Sequence, residues 1–200
     1  MTLAAPPASL PDDPAVHELK PNDRLVRFYD PRRGNWDQPR QFGPLGDVRF
    51  DHHLPPPGSD RTRAVWYAST SLIGALSESF GRIGFLDRDA GRRVALVRAA
   101  TAIPLLDLVG VGARSIGLTQ EIAATTAYSL TQAWARTVYE RYPRLIGIRW
   151  RGRQAGAICV VITERVRAGA LVLVSDHALG EPVVWPRIAR AARRCRIKVV

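Results

Sequence analysis

The chain has 200 residues, 46% of them hydrophobic, and a formal net charge of +11. That length suits one domain with a buried core, and no apolar run reaches the roughly 18 residues that a membrane-crossing helix needs. Most of the charge is arginine, whose planar fork suits phosphate, so the field favours polyanions: nucleic acid, nucleotides or an acidic partner. A merely solvated basic surface accounts for the charge equally well.

The first residues, M-T-L-A-A-P-P-A-S-L-P-D-D-P, lack the basic and apolar regions of a signal peptide. Their prolines predict a flexible lead-in over residues 1–21, with the domain proper at 22–200. Leu25–Tyr29 reads as a short strand. The stretch D-P-R-R-G-N-W-D-Q-P-R-Q-F-G-P-L-G-D after it turns repeatedly, but Trp36 and Phe42 argue that it packs. Residues 64–68 read as a strand, and Ser69 or Ser71 can cap the helix that follows.

Strands are predicted over 94–98 and 103–108. Leu118-Thr119 opens one long helix to about Tyr142, with Thr119 as its cap and Ala123, Ala127, Leu130, Trp134 and Val138 as its apolar stripe. Pro143 stops it. Residues 145–150, 157–162 and 170–174 read as strands. Pro186 opens a basic helix, R-I-A-R-A-A-R-R-C-R, and 196–200 reads as a last strand. Strands and helices are interspersed without regular alternation, which predicts an α+β domain.

Few residues offer chemistry. Cys159 and Cys195 have no metal spacing, and a reducing, cytoplasmic compartment fits them. His52 and His53 point to opposite sides of an extended chain, so no metal pair is expected. Gly110, Gly112 and Gly117 miss the dinucleotide spacing and read as a turn. The basic tail has no interleaved aromatics and reads first as a solvated face. The sharper feature is V-W-Y-A-S-T-S-L-I-G-A-L-S-E-S-F-G-R, residues 65–82. At about 100° per residue, Leu72, Ile73, Leu76 and Phe80 share one helix face. Gly74, Glu78 and Gly81 fall opposite. A solvated glutamate is the ordinary reading of such a position. Two helical glycines beside it, each costing about 1 kcal/mol against alanine, instead predict a bare strip along which a ligand approaches Glu78. Tyr67 arrives near the same helix start.

The order of Arg27 in L-V-R-F-Y, Arg49-Phe50, W-Y-A-S-T with Tyr67, A-L-S-E-S with Glu78, T-Q-E-I-A and G-I-R-W-R-G-R resembles the RES-domain family over residues 22–175. That family is the toxin half of bacterial toxin–antitoxin pairs. The resemblance implies a single α+β domain with an ADP-ribosyltransferase-like mixed sheet and flanking helices. It implies NAD as substrate, no metal, and cleavage of the nicotinamide–ribose bond with water, phosphate or a protein as acceptor. It also implies a cognate antitoxin that blocks the NAD cleft and supplies any contact with DNA, with no role for a membrane.

Arg27 and Glu78 match two of the residues that name the family. The third, a serine, falls where this chain has Trp150-Arg151-Gly152, so its hydroxyl is missing. Catalysis is thus expected from Glu78 and Arg27. NAD binding is expected from Arg27, Arg49, Tyr67, Glu78 and the position of Gly152. The physical chemistry agrees: a carboxylate stabilises a cationic ribose, arginine forks hold the pyrophosphate, and an aromatic face receives nicotinamide. Two other readings remain open at the level of sequence. One is a weakly active or non-catalytic relative that binds NAD or a partner. The other is a basic nucleic-acid-binding module.

Overall fold

The computed structural model describes residues 4–153 and 155–200. The described elements, in chain order, are β1 (Val16–Leu19), β2 (Arg24–Tyr29), β3 (Phe42–Gly43), β4 (Gly58–Ser59), β5 (Val65–Ser69), α1 (Leu72–Phe80), β6 (Phe85–Leu86) and β7 (Arg93–Ala99). They continue with β8 (Ile103–Asp107), α2 (Glu121–Ala124), α3 (Tyr128–Arg141), β9 (Gly147–Arg151), β10 (Ile158–Thr163), β11 (Leu171–Ala178), α4 (Trp185–Arg194) and β12 (Lys198–Val199). The fold is α+β in a single domain. One sheet runs β1-β8-β9-β10-β5-β2-β7-β11, antiparallel except for the parallel β8–β9 pair.

Central strand β10, I-C-V-V-I-T, is apolar at nearly every position because both of its faces are covered. Cys159 and Val161 point towards Trp134, Ala135 and Val138 of α3. Val160 and Ile162 point into a second layer with Leu25, Trp66 and Val97. A third cluster joins Leu76 and Phe80 of α1 to Ile188 and Ala192 of α4. Trp36 anchors the irregular loop after β2, since its carbonyl accepts the Trp66 indole N–H at 2.7 Å.

Three expectations need correction. The lead-in is laid against the domain. β1 pairs with β8, Leu10 is buried, Trp134 Nε1 donates to the Ala4 carbonyl and the Tyr142 hydroxyl donates to Pro11 O. Those hydrogen bonds and the apolar seat for Leu10 offset the ordering cost that the prolines seemed to leave unmet. Secondly, the helix expected over 118–142 breaks at Thr125–Ala127. Thr125 is extended (φ −63°, ψ 151°), its hydroxyl accepts the Ala127 N–H, and Ala127 is exposed rather than part of the stripe. Thirdly, β11 runs to Ala178, past the expected end at 174, because a bulge between Leu173 and Ser175 restores its pairing with β7. Of the two candidate caps for α1, Ser71 serves: its hydroxyl accepts the Gly74 N–H at 3.1 Å.

Candidate active site

β2 pairs with β7 along its whole length but meets β5 only at Val26↔Ser69. Beyond that point β2 and β5 diverge, and the gap between them forms a wall of a cavity of about 530 Å³. α1 closes one side and the α2–α3 break another. Arg27, Arg49, Tyr67 and Glu78 all line this cavity.

Arg27 spans the split. Its guanidinium donates to the carbonyls of Tyr67 (3.4 Å) and Gln38 (3.2 Å) and lies 5.1 Å from the Trp66 ring centroid. Among the described residues no carboxylate forms an ion pair with it; Asp30, its nearest acid in sequence, is taken by Arg32. Burial, with repulsion from Arg40 second, lowers its pKa to about 10, so it keeps its charge at neutral pH. Arg49 is only 7% exposed. It donates to the Thr125 carbonyl at 2.5 Å and lies 5.4 Å from the Tyr128 ring centroid. The helix break therefore has a local use: it frees a carbonyl that α-helical bonding would have consumed, and that carbonyl holds Arg49.

Tyr67 donates its hydroxyl to Arg49 O at 3.0 Å and sets its ring edge-on to Trp150, with centroids 6.5 Å apart. Burial, and then the Asp51 charge, hold the phenol neutral well above its ordinary range. Glu78 remains open to solvent through the cleft mouth, while the surrounding protein crowds its other sides. That crowding raises its carboxyl pKa, against a smaller opposing pull from Arg49.

Residues 20–185 match the RES domain. The chain belongs to the RES-domain family. No curated protein sequence matches it. In fold it is similar to a chain in the crystal structure of the M. tuberculosis MbcT–MbcA toxin–antitoxin complex, with a TM-score of 0.58 and 15% identity over 86% of this chain and 92% of that one.

Within this RES domain, Gly152, the fifth expected NAD-binding position, does not line the cavity and sits directly beside Glu78. A Cβ there would lie 2.6 Å from Glu78 Oε1 and 3.0 Å from Cys159 Sγ. The Cys159 thiol, pushed up to about 12 by burial and then by the Glu78 charge, stays protonated beneath the carboxylate. The glycine strip is overturned as a ligand path. A Cβ on Gly74 would collide with Ser69 Oγ and stand 2.6 Å from Ala157 Cβ, so this glycine lets α1 press against the sheet. Neither Gly74 nor Gly81 lines the cavity; Ala75, Glu78, Ser79 and Arg82 present the helix to it.

Sequence reasoning missed Arg40, Tyr128 and Trp150 on the cavity wall. Arg40 is set by a buried carboxylate: Asp51 Oδ2 accepts its Nη2 at 2.7 Å, and Asp51 Oδ1 lies 2.5 Å from His53 Nδ1. Burial alone would raise the Asp51 pKa, but the His53 hydrogen bond and the Arg40 charge hold it far below the carboxylate range. His52 turns the other way, with Nε2 3.3 Å from Glu164. The pattern D-H-H was visible in the sequence; its link to an arginine eleven residues earlier was not.

Proposed function

We propose that this RES domain is the toxin of a toxin–antitoxin pair and that its cleft binds NAD and breaks the nicotinamide–ribose bond. The observation that carries the reading is the convergence of a carboxylate, Glu78, with two arginines, Arg27 and Arg49, that form no ion pair among the described residues, on one cavity of about 530 Å³. Buried arginines held by carbonyls rather than by ion pairs favour a ligand that brings its own anions, such as a pyrophosphate. Tyr67 offers an aromatic surface to the nicotinamide. Bond cleavage leaves positive charge on the ribose, which the ionised Glu78 stabilises or steadies through a ribose hydroxyl. Nicotinamide departs with the bonding electrons, and water, phosphate or a protein side chain takes its place on the sugar.

The partner is an antitoxin that covers the cleft, with an acidic or acid-tipped segment meeting the arginines. Positive charge of this size makes such an association fast and sensitive to salt. A second reading, a weakly active relative, rests on Gly152, which supplies no hydroxyl beside Glu78. The test of both is to incubate the purified chain with NAD, with and without phosphate, and to identify products by mass. Release of nicotinamide supports the first reading. ADP-ribose then points to water as acceptor, a phosphorylated ADP-ribose to phosphate, and a mass increment on a protein to protein modification. NAD recovered intact after prolonged incubation, although it binds, supports the second.

A further inference from the structure

Helix α4 carries its charge on one side. At about 100° per residue, Arg187, Arg190, Arg193 and Arg194 fall within an arc of about 120°. Ile188, Ala191 and Ala192 lie opposite, buried against α1. All four arginines are exposed, and among the described residues none forms an ion pair. Like charges three and four residues apart repel one another, so this face destabilises its own helix. The helix dipole accounts only for the pair in the last turn, Arg193 and Arg194.

The end of the helix adds an independent observation. Ile197 N–H bonds to Ala192 O at 2.9 Å and Arg196 N–H to Arg193 O at 3.1 Å, which closes α4 with a left-handed residue. Glycine takes that position most cheaply. Here it is Arg196, exposed, with φ 56°. A fifth cation is thus held next to the stripe against backbone preference. None of these residues lines the cleft.

We infer that the arginine face of α4 is a docking surface for the phosphate backbone of duplex nucleic acid. The face spans about 10 Å along the helix axis, and a duplex offers one charge per about 1.7 Å, so about six phosphates lie within its reach. The stripe carries no aromatic side chain. Trp185, at the head of the helix, is covered by the Arg88 guanidinium at 5.0 Å. Stacking on unpaired bases and an aromatic anchor for a protein partner are therefore both lacking, which leaves a surface that reads charge and shape without sequence. The inference stands apart from the NAD reading.

The test is fluorescence anisotropy of a 20-base-pair DNA duplex with the full chain between 50 and 200 mM salt. The expected binding weakens with a slope of log K on log salt near −3.6, as four neutralised phosphates require. The variant R187Q/R190Q/R193Q/R194Q should bind at least tenfold more weakly at 100 mM salt and lose about that slope. A variant of equal net charge, R24Q/R114Q/R144Q/R167Q, should keep both affinity and slope, as should the four α4 lysine replacements. NAD consumption should be the same in all of them. Equal loss in both glutamine variants would overturn the inference by assigning binding to net charge alone. It would also be overturned by no salt-dependent binding in the parent, or by tighter capture of a polyglutamate peptide than of DNA through the same arginines.

Discussion

Gly152 packs against Glu78 from behind the cavity wall: the place of a Cβ on the first lies 2.6 Å from a carboxylate oxygen of the second, and only Glu78 lines the cavity. The glycine has no left-handed φ, so a side chain would meet its neighbours rather than a strained backbone. Glu78 ends a flexible side chain and can yield. We expect Gly152→Ser to fold, to move the carboxylate a short way into the cleft and to offer its hydroxyl to the bound ligand. A neutral hydrogen bond is worth about 0.5–1.5 kcal/mol, so NAD turnover should rise about three- to tenfold. A folded serine variant with unchanged turnover would remove Gly152 from the site.

Glu78→Gln should abolish NAD consumption and leave the fold intact, because the amide keeps the shape and loses the charge. The raised pKa fixes two signs. Activity needs the carboxylate, so the rate should fall as pH drops through a value above the ordinary glutamate range. Stability runs the other way: the folded state holds its proton more tightly, so ionised Glu78 costs stability at neutral pH. The glutamine variant should melt at or above the parent temperature at pH 7, and the difference should close below about pH 4 as the parent protonates.

Arg27→Ala should weaken NAD binding by about 1.5–3 kcal/mol, the scale of a charge-assisted hydrogen bond. Arg27 makes only carbonyl hydrogen bonds and a ring contact within the protein. Calorimetry on the folded variant distinguishes the roles. Unchanged affinity would mean that the guanidinium only ties β2 to β5.

Glu164 tests the scaffold rather than the chemistry. It accepts from Ala64 N (2.8 Å) and the Tyr139 hydroxyl (2.6 Å), beside His52. Burial raises its pKa, but hydrogen bonding from His52 first, and then from Tyr139 and Ala64, prevails and holds it at about 2. A depressed carboxylate stabilises the fold above its unfolded value, near 4.5, and that contribution fades as pH falls towards 2. Glu164→Gln should cost about 2 kcal/mol at pH 7, with the gap to the parent narrowing in acid. A constant gap from pH 7 to pH 3 would rule this linkage out.

Most of the long strands and the first helix were legible because their periodicity is local, as Val65–Ser69 and Leu72–Phe80 show, whereas β1 and the two-residue strands β3, β4 and β6 carry too short a pattern to read. Glu78, Arg27, Arg49 and Tyr67 could be singled out as residues off the apolar pattern in a familiar order. Their meeting was implied only by the family resemblance and not by the residues themselves, because it depends on β2 leaving β5 after a single pair, and pairing register leaves no mark within either strand. The helix break at Thr125 was equally hidden: besides the local bond of the Thr125 hydroxyl to the Ala127 N–H, it is held by Arg49, 76 residues away. Gly74 misled for a related reason. A glycine on a polar helix face signals a close approach, and only the fold reveals that the approaching atoms belong to Ser69 and Ala157 rather than to a ligand.

The central claim is that one cleft holds NAD with its nicotinamide ribose at Glu78. The most direct measurement is a crystal structure of Glu78→Gln soaked with NAD, since that variant should bind without turnover. The account predicts density for intact NAD between α1 and the split of β2 from β5. The ribose that bears nicotinamide should lie within hydrogen-bonding distance of residue 78, and the pyrophosphate on Arg27 and Arg49. NAD bound elsewhere, or bound in this cleft with its adenosine ribose at residue 78 and nicotinamide in solvent, would contradict it.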